Sequence, residues 1–307
     1  MNFPKAPRIT NIWSKVVDGE NGEWLSKVVI ESTRPYSYIA RNSGSKVTFT
    51  GKGAVVNLPE GKIEVNDGLL REIGIRTDER DFFSVEMLLD HPAEFRLSAE
   101  KGLPFRVKIF FDRSPIINLF TGKKVAVDPG HGGRDAGGRG PVSLLEKDIV
   151  LLIARNLEKL LHRAGSQVIL TREGDIDLSR EERFQMAGRA GADVYISIHN
   201  LARADSSEEG ISTLYSPANR QSALLAGFIQ EELLKKLKAR NRGTGGQPEL
   251  AAMGGIPAVE TEVLAITNLV EEVFLRGLTV RKKAAEGIFN GLIKYFARNR
   301  QDSEGEN

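Results

Sequence analysis

The sequence predicts two domains of different class. An N-terminal all-β sandwich covers residues 1–115, and after a linker at 116–122 an α/β domain covers 123–299, with a mostly parallel sheet covered by helices on both faces. Three observations lead there. The chain has 307 residues, which suits about two domains at roughly 100–200 residues each. Before residue 115, short runs of alternating apolar and polar residues recur between turn signals, with no helical period. After residue 123, strand-like runs alternate with helical ones, the texture of a sheet built from crossover units.

In the first part the β-rich runs are residues 24–31 (WLSKVVIE), 45–50 (SKVTFT), 62–65 (KIEV), 70–76 (LREIGIR), 82–89 and 105–111 (FRVKIFF). Asp18-Gly19, Gly51-Lys52-Gly53 and Asn66-Asp67-Gly68 punctuate them as turns. About seven short strands of this kind read as a sandwich, and Ser114-Pro115 closes the region. In the second part, 124–128 (KVAVD) is a buried strand that runs into a glycine-rich loop at 129–141. A helix is expected at 143–163, with Ile149, Ile153, Leu157 and Leu160/Leu161 on one face and Gly165 as its stop. Residues 167–171 (QVILT) form a strand, and Ser179 with Glu182 is a capping box opening a helix to about Ala190. Strands come next at 193–199 (DVYISIH) and 210–215 (GISTLY), then a long helix at 219–240, a strand at 256–263 and a closing helix at 279–298. The polar tail at 300–307 is expected to be disordered.

Composition narrows the chemistry. The chain has no cysteine and four histidines, so disulfides, thiolate zinc sites, iron–sulfur clusters and a cysteine nucleophile are excluded. With 43 Lys+Arg against 41 Asp+Glu there is no basic footprint for nucleic acid. The longest apolar stretch, 149–154, is far too short to span a bilayer, and the opening MNFPKAPRIT lacks the apolar core of a signal peptide. The chain therefore reads as cytosolic or as a mature form whose leader is missing.

Any metal must be held by His91, His131, His162 or His199 with carboxylates. In open α/β sheets, ligands bind beyond the carboxyl ends of the strands. Two histidines sit there: His131 inside the run Asp128-Pro-Gly-His-Gly-Gly133, and His199 as the last residue of DVYISIH. A catalytic zinc site usually adds a third protein ligand and leaves one position open. Glu146, in the first turn of the helix after the His131 loop, returns to the same edge; an acidic residue there also simply suits the helix dipole. Glu260 and Glu262, two apart in PAVETEV, share one strand face, either as a general base and its neighbour or on a solvated edge strand. His162 sits at a helix C-terminus and His91 in a turn before Pro92, both ordinary structural positions. Competing motifs fail: Asp135 stands where GxGxxG needs its third glycine, and GK[ST], HExxH and GxSxG are absent.

These pieces, in order, resemble the zinc-dependent N-acetylmuramoyl-L-alanine amidases of the Amidase_3 family over residues 123–298. The matching pieces are VAVDPGHGG with Asp135 and Gly137, Glu146-Lys147-Asp148, Thr171-Arg172, Arg183, Ala192-Asp193 into Ser197-Ile198-His199, Gly210-Ile211, and Pro257-Ala258-Val259 through Glu262 to Asn268. The resemblance implies one Zn2+ held by His131, Glu146 and His199. It also implies Glu262 as catalytic base, since the family's glutamate lies five after a proline and six before an asparagine. The implied substrate is peptidoglycan, cut between N-acetylmuramic acid and the L-alanine of its stem peptide. An extracytoplasmic location, with the leader absent, and a monomeric enzyme are expected. Arg134, Arg172 or Arg203 would hold stem-peptide carboxylates. The N-terminal domain resembles the wall-targeting AMIN domain in texture and position.

The chain departs from the family pattern at Leu201, where an asparagine is usual, and at Leu264-Ala265, which replaces Gly-Phe. Arg180 stands where leucine is common and Gly188 where asparagine is common. Two other readings stay open, a zinc carboxypeptidase-like hydrolase of other peptides and a non-catalytic peptidoglycan-binding protein. The segment after Gly210 is short, so access to the cleft is expected to be constitutive.

Overall fold

The computed structural model describes residues 6–78 and 82–305, and the chain divides between residues 118 and 119 into two compact units. The first is built of strands: β1 (Arg8–Asp18), β2 (Trp24–Ser32), β3 (Ser37–Ser43), β4 (Lys46–Lys52), β5 (Val55–Val56), β6 (Gly61–Glu64), β7 (Leu70–Asp78), β8 (Phe82–Leu89), β9 (Phe95–Glu100) and β10 (Phe105–Asp112). They form two five-stranded sheets, ordered β5-β1-β2-β10-β9 and β3-β4-β8-β7-β6. All described pairs are antiparallel except β1/β5. Strict alternation buries Val47 and Phe49 on β4, Val85 and Met87 on β8, and Val107, Ile109 and Phe111 on β10. Burying such a side chain contributes about 1.5–3 kcal/mol each. Beyond β10, Arg113 is buried with its guanidinium 4.2 Å above the Trp24 ring, and it donates to Ser26 Oγ and Asp67 Oδ1 at 2.8 and 3.1 Å.

The stretch expected as a linker is largely helical. Helix α1 (Ser114–Phe120) starts where Asp112 Oδ1 accepts from the backbone N–H of Ser114, and its Ile116 and Phe120 are buried. Two apolar residues four apart are enough to draw a short segment into a helix once each has a core to enter.

The second unit contains β11 (Lys124–Pro129), α2 (Glu146–Arg163), β12 (Gln167–Leu170), α3 (Arg180–Ala190), β13 (Val194–Leu201), β14 (Ile211–Tyr215), α4 (Arg220–Leu237), β15 (Asn241–Gly246), a 3-10 turn (Pro248–Met253), β16 (Ala258–Ala265), α5 (Leu269–Arg276) and α6 (Leu278–Gly305). The strands make one six-stranded sheet, ordered β12-β11-β13-β16-β14-β15. The expectation of a mostly parallel sheet needs correction, because the sheet is mixed: β14 runs antiparallel to β16. The cause is the connection. Parallel strands need a crossover of a dozen or more residues, usually a helix, and the loop 202–210 between β13 and β14 carries none.

The core lies on both faces of this sheet. On one, Phe184 and Ala187 of α3 and Leu250 and Met253 of the 3-10 turn pack on Ala126, Tyr195 and Ala258. The alternate residues Val125, Val127, Val194 and Ile196 are buried on the opposite face, where α2 packs, with α6 lying against α2 and α4. The capping box of α3 forms as the sequence indicates: Ser179 Oγ accepts from the Glu182 N–H at 3.2 Å, and Glu182 accepts from the Ser179 N–H at 2.7 Å. The closing helix continues to Gly305, so the polar tail from 300 is helical through most of its length rather than disordered. An Arg298–Asp302 ion pair one turn apart, at 3.1 Å, supports that extension. Among the described residues no helix is long and apolar enough to cross a membrane.

Candidate metal centre

Strands β11 and β13 pair in parallel with Pro129 opposite Ile198, so the His131 loop and His199 emerge at the same sheet edge. There the chain turns sharply. Gly130 donates to the Ile198 carbonyl at 3.0 Å, and a Cβ at Gly130 would meet the His199 ring at 2.2 Å. Only glycine admits that contact. His131 itself adopts φ 60°, a left-handed conformation that costs an ordinary side chain about 1–2 kcal/mol. Gly137 closes the other side: its Cβ would meet His131 at 2.5 Å and Glu146 Oε2 at 2.8 Å. Glu146 opens α2, and its own N–H and that of Lys147 donate to the Gly138 and Ala136 carbonyls, so the loop caps the helix with backbone alone.

The result is a close triangle of donors. His131 Nε2 lies 3.1 Å from His199 Nδ1 and 3.2 Å from Glu146 Oε1, and His199 Nδ1 lies 3.0 Å from Glu146 Oε1. A tetrahedral zinc with bonds of about 2.0–2.1 Å spaces its ligands about 3.3 Å apart, so the three atoms are already at a shared-ion spacing. The donor set also fits. Two imidazoles both protonated at these atoms would set N–H against N–H at 3.1 Å, a conflict that a cation bound by both lone pairs removes. This group could hold a metal ion.

The surroundings fix each donor. His131 Nδ1 lies 2.8 Å from Asp135 Oδ2, and donating its proton there would free the Nε2 lone pair for an ion. Glu146 Oε2 accepts from the Gly138 N–H at 2.7 Å, and Oε1 accepts from the Asn200 N–H at 2.9 Å. Burial alone would raise the Glu146 carboxyl; hydrogen bonds from His131 and His199 outweigh it and hold the group far below the usual carboxylate range. Burial would lower His131, but Glu146 and Asp135 push it up to about 8.

Beneath the triangle sits a buried hub. Asp128 accepts from Tyr195 OH at 2.6 Å, Ser197 Oγ at 2.9 Å, Arg183 NH1 at 2.7 Å and Thr171 Oγ1. Burial raises its carboxyl, and the Arg183 charge together with these hydrogen bonds overcomes that and holds it low. Arg183 also donates to the carbonyls of Pro129 and His131 at 2.8 and 2.7 Å, so it grips the loop that carries His131. Arg172 requires a correction. It is 2% exposed and donates to the carbonyls of Pro129, Gly130, Gly174 and Lys147 at 2.7–3.0 Å. A guanidinium so committed cannot take a substrate carboxylate; it is a strut of the loop.

The other expected residues occupy varied positions. Arg134 is 92% exposed beside the loop, paired with Asp177 at 2.9 Å. Arg203 is half exposed and lies 3.4 Å from Glu262 Oε1. Glu262 stands directly opposite His199 in the β13/β16 register and accepts from Ser212 Oγ. Because β16 lies between β13 and β14, neither glutamate belongs to a solvated edge strand. Glu260 accepts from Gln247 Nε2 at 3.2 Å and lies 4.0 Å from His199 Nε2, beyond hydrogen-bond range. It lines a pocket of about 120 Å³ with His131, His199, Asp135 and Arg180. His162 lies in the last turn of α2 with its side chain 57% exposed, and His91 lies in the first unit, where burial lowers its pKa. Sequence reasoning gives no role to Asp135, the Asn200 N–H or Ser212. Asp135 has a local signal, four residues after His131; the other two are set by strand register.

Two histidines and a glutamate, converging at the carboxyl ends of an α/β sheet, define a protein able to hold a single metal ion. Comparison narrows the class. Residues 125–294 match the family model described as N-acetylmuramoyl-L-alanine amidase (Amidase_3), and the chain belongs to that family. It is 34% identical over 182 residues to the N-acetylmuramoyl-L-alanine amidase LytC of Bacillus subtilis, covering 58% of this chain and 36% of that one. It is 33% identical over 189 residues to the probable cell wall amidase LytH of Staphylococcus epidermidis, covering 61% and 62%. The chain thus spans about a third of the first relative and about three fifths of the second. The solved structure of the N-acetylmuramoyl-L-alanine amidase AmiC2 of Nostoc punctiforme is similar at a TM-score of 0.55 and 28% identity, covering 58% of this chain and 99% of that one.

Proposed function

We propose that this chain is a zinc-dependent peptidoglycan amidase that hydrolyses the bond between N-acetylmuramic acid and the L-alanine of the stem peptide. The observation that carries it is the 3.0–3.2 Å triangle of His131 Nε2, Glu146 Oε1 and His199 Nδ1 within a chain of this family. When bound there, Zn2+ supplies a Lewis acid that polarises the scissile carbonyl and makes water acidic enough to attack near neutral pH. Asp135 and the Asn200 N–H orient the donors, and the Arg172 and Arg183 struts keep the His131 loop from relaxing out of its left-handed turn.

Glu262 is the proposed base. Opposite His199 in register, its carboxylate takes the proton of the attacking water and returns it to the leaving amine of L-alanine. The Ser212 hydroxyl, donating to Oε2, and Arg203, 3.4 Å from Oε1, keep that carboxylate aimed. Arg134 and Arg203, both exposed, are the cations we assign to stem-peptide carboxylates, each exchanging its present carboxylate partner for the substrate's. We expect the enzyme to act as a monomer. Its substrate places its work outside the cytoplasm, with the first unit as an AMIN-like wall-targeting domain. Mass analysis of purified peptidoglycan after digestion tests the reading: the expected product is stem peptide with a free L-alanine amine, lost in His199→Ala. Intact muropeptides alongside cleavage of other peptides would assign the chain to carboxypeptidase-like chemistry instead.

A further inference from the structure

Helix α5 is inverted. Its inward residues are acidic: Glu271 accepts from the Ala265 and Gly210 N–H groups at 2.6 and 3.0 Å, and the fully buried Glu272 accepts from Val142 and Leu144 at 2.8 and 3.0 Å. These bonds clamp the helix to the loop that joins His131 to Glu146 and to the start of β14. Its outward face is apolar. Leu269, Val270, Val273 and Phe274 are 55%, 60%, 55% and 53% exposed, and Leu278 just beyond is 72% exposed. The spacing i, i+1, i+4, i+5 puts the four on one side of the helix. A surface helix normally shows the reverse arrangement, and a contiguous exposed apolar patch marks an interaction site.

The charges select the occupant. Between residues 268 and 283 the acidic residues are Glu271 and Glu272, both buried; Arg276 is exposed but paired with Glu272 at 2.7 Å, Arg281 is half-buried, and the exposed lysines are Lys282 and Lys283. On the loop beside the other end of α5, Glu208 is paired with Arg242 at 2.6 Å and Asp205 is turned onto Ser207, which leaves Glu209 as the exposed acidic residue against the two exposed lysines. A two-fold contact with a second copy would set the basic rim against itself. An anionic lipid surface satisfies both features at once, taking the apolar side chains at the acyl boundary and the basic ones at the headgroups. We propose that α5 and the start of α6 form a docking face that seats this unit on an anionic phospholipid membrane, with the His131–Glu146 loop held beside it. The face uses none of the metal donors, so it stands or falls independently of the proposed activity.

The test is co-sedimentation of the 307-residue chain with vesicles of equal parts phosphatidylglycerol and phosphatidylcholine, against phosphatidylcholine alone. Binding to the first and not to the second is expected. The double substitution Val273→Asp/Phe274→Asp, on the outward face, should abolish binding while leaving zinc content and the melting temperature in place. Lys282→Gln/Lys283→Gln should weaken it about fivefold per lysine. Wild-type protein that ignores both vesicles, or binds them equally, overturns the proposal. So does a dimer in light scattering that Val273→Asp/Phe274→Asp dissolves without any vesicle binding. If that variant misfolds, the lysine pair decides: unchanged affinity for the anionic vesicles overturns the proposal.

Discussion

The Asn200 side chain donates to the backbone carbonyl of Val263 across an irregularity in the β13/β16 ladder, and the next residue, Leu264, carries φ at 60°. Register passes from His199/Glu262 to Leu201/Ala265, so two residues of β16 oppose one of β13. That bulge sits one step beyond the proposed base and one step beyond a metal donor. It keeps a left-handed backbone although leucine stands where the family pattern has glycine.

Leu264 is 3% exposed, so truncating it costs burial and leaves a cavity, about 2–5 kcal/mol for alanine. Glycine ordinarily costs a further 0.5–1 kcal/mol or so. Here the left-handed φ reverses that order, since glycine alone escapes its penalty of about 1–2 kcal/mol. Urea denaturation should find Leu264→Gly more stable than Leu264→Ala; the usual order would show that the bulge relaxes.

Asp135 is 66% exposed, so its loss should leave stability nearly unchanged. Its bond to His131 Nδ1 fixes the ring, and removing such a partner typically weakens metal binding about 10–100-fold. Competition with a chelating dye should show that loss in Asp135→Ala, with an unchanged melting temperature.

The Asp128 carboxyl is held below its ordinary range in the folded protein, so it binds protons more readily when unfolded. Its contribution is therefore present above about pH 4 and is lost as pH falls through the folded value. Melting curves across pH should show wild type far above Asp128→Asn at neutral pH, with the gap narrowing below about pH 4. A gap constant across that range would remove Asp128 from the ionised hub.

Glu262→Gln should keep its metal and lose about 10²–10⁴-fold in turnover, the usual worth of a positioned base. Ser212→Ala should lose less, since the carboxylate remains. Full activity in Glu262→Gln with metal bound would pass the role to another group, with Glu260 the first to examine.

Much of the second unit is legible in the sequence. Strand and helix periods, the Ser179–Glu182 capping box and the strand-end placement of His131 and His199 all depend on local pattern. The features that the pattern hides depend on pairing at a distance. The segment 241–246 (NRGTGG) has no strand propensity, yet backbone bonding to β14 recruits it as β15. Arg172 carries the same charge as Arg134, and only its burial under four carbonyls separates a strut from an exposed cation. The antiparallel turn of β14 arises from a helix-free loop rather than from anything in the strand itself. The residues of α5 carry a helical period, but a period does not say that the apolar face points outward, as it does here.

Titration of metal-stripped protein with Zn2+, with muropeptide cleavage followed at each addition, tests the central claim most directly. Cleavage should be absent without metal, rise linearly, and stop rising at one Zn2+ per chain, while Glu146→Ala stays inactive at that ratio. Cleavage by the stripped protein, or a zinc-saturated wild type that cuts nothing, would contradict the account.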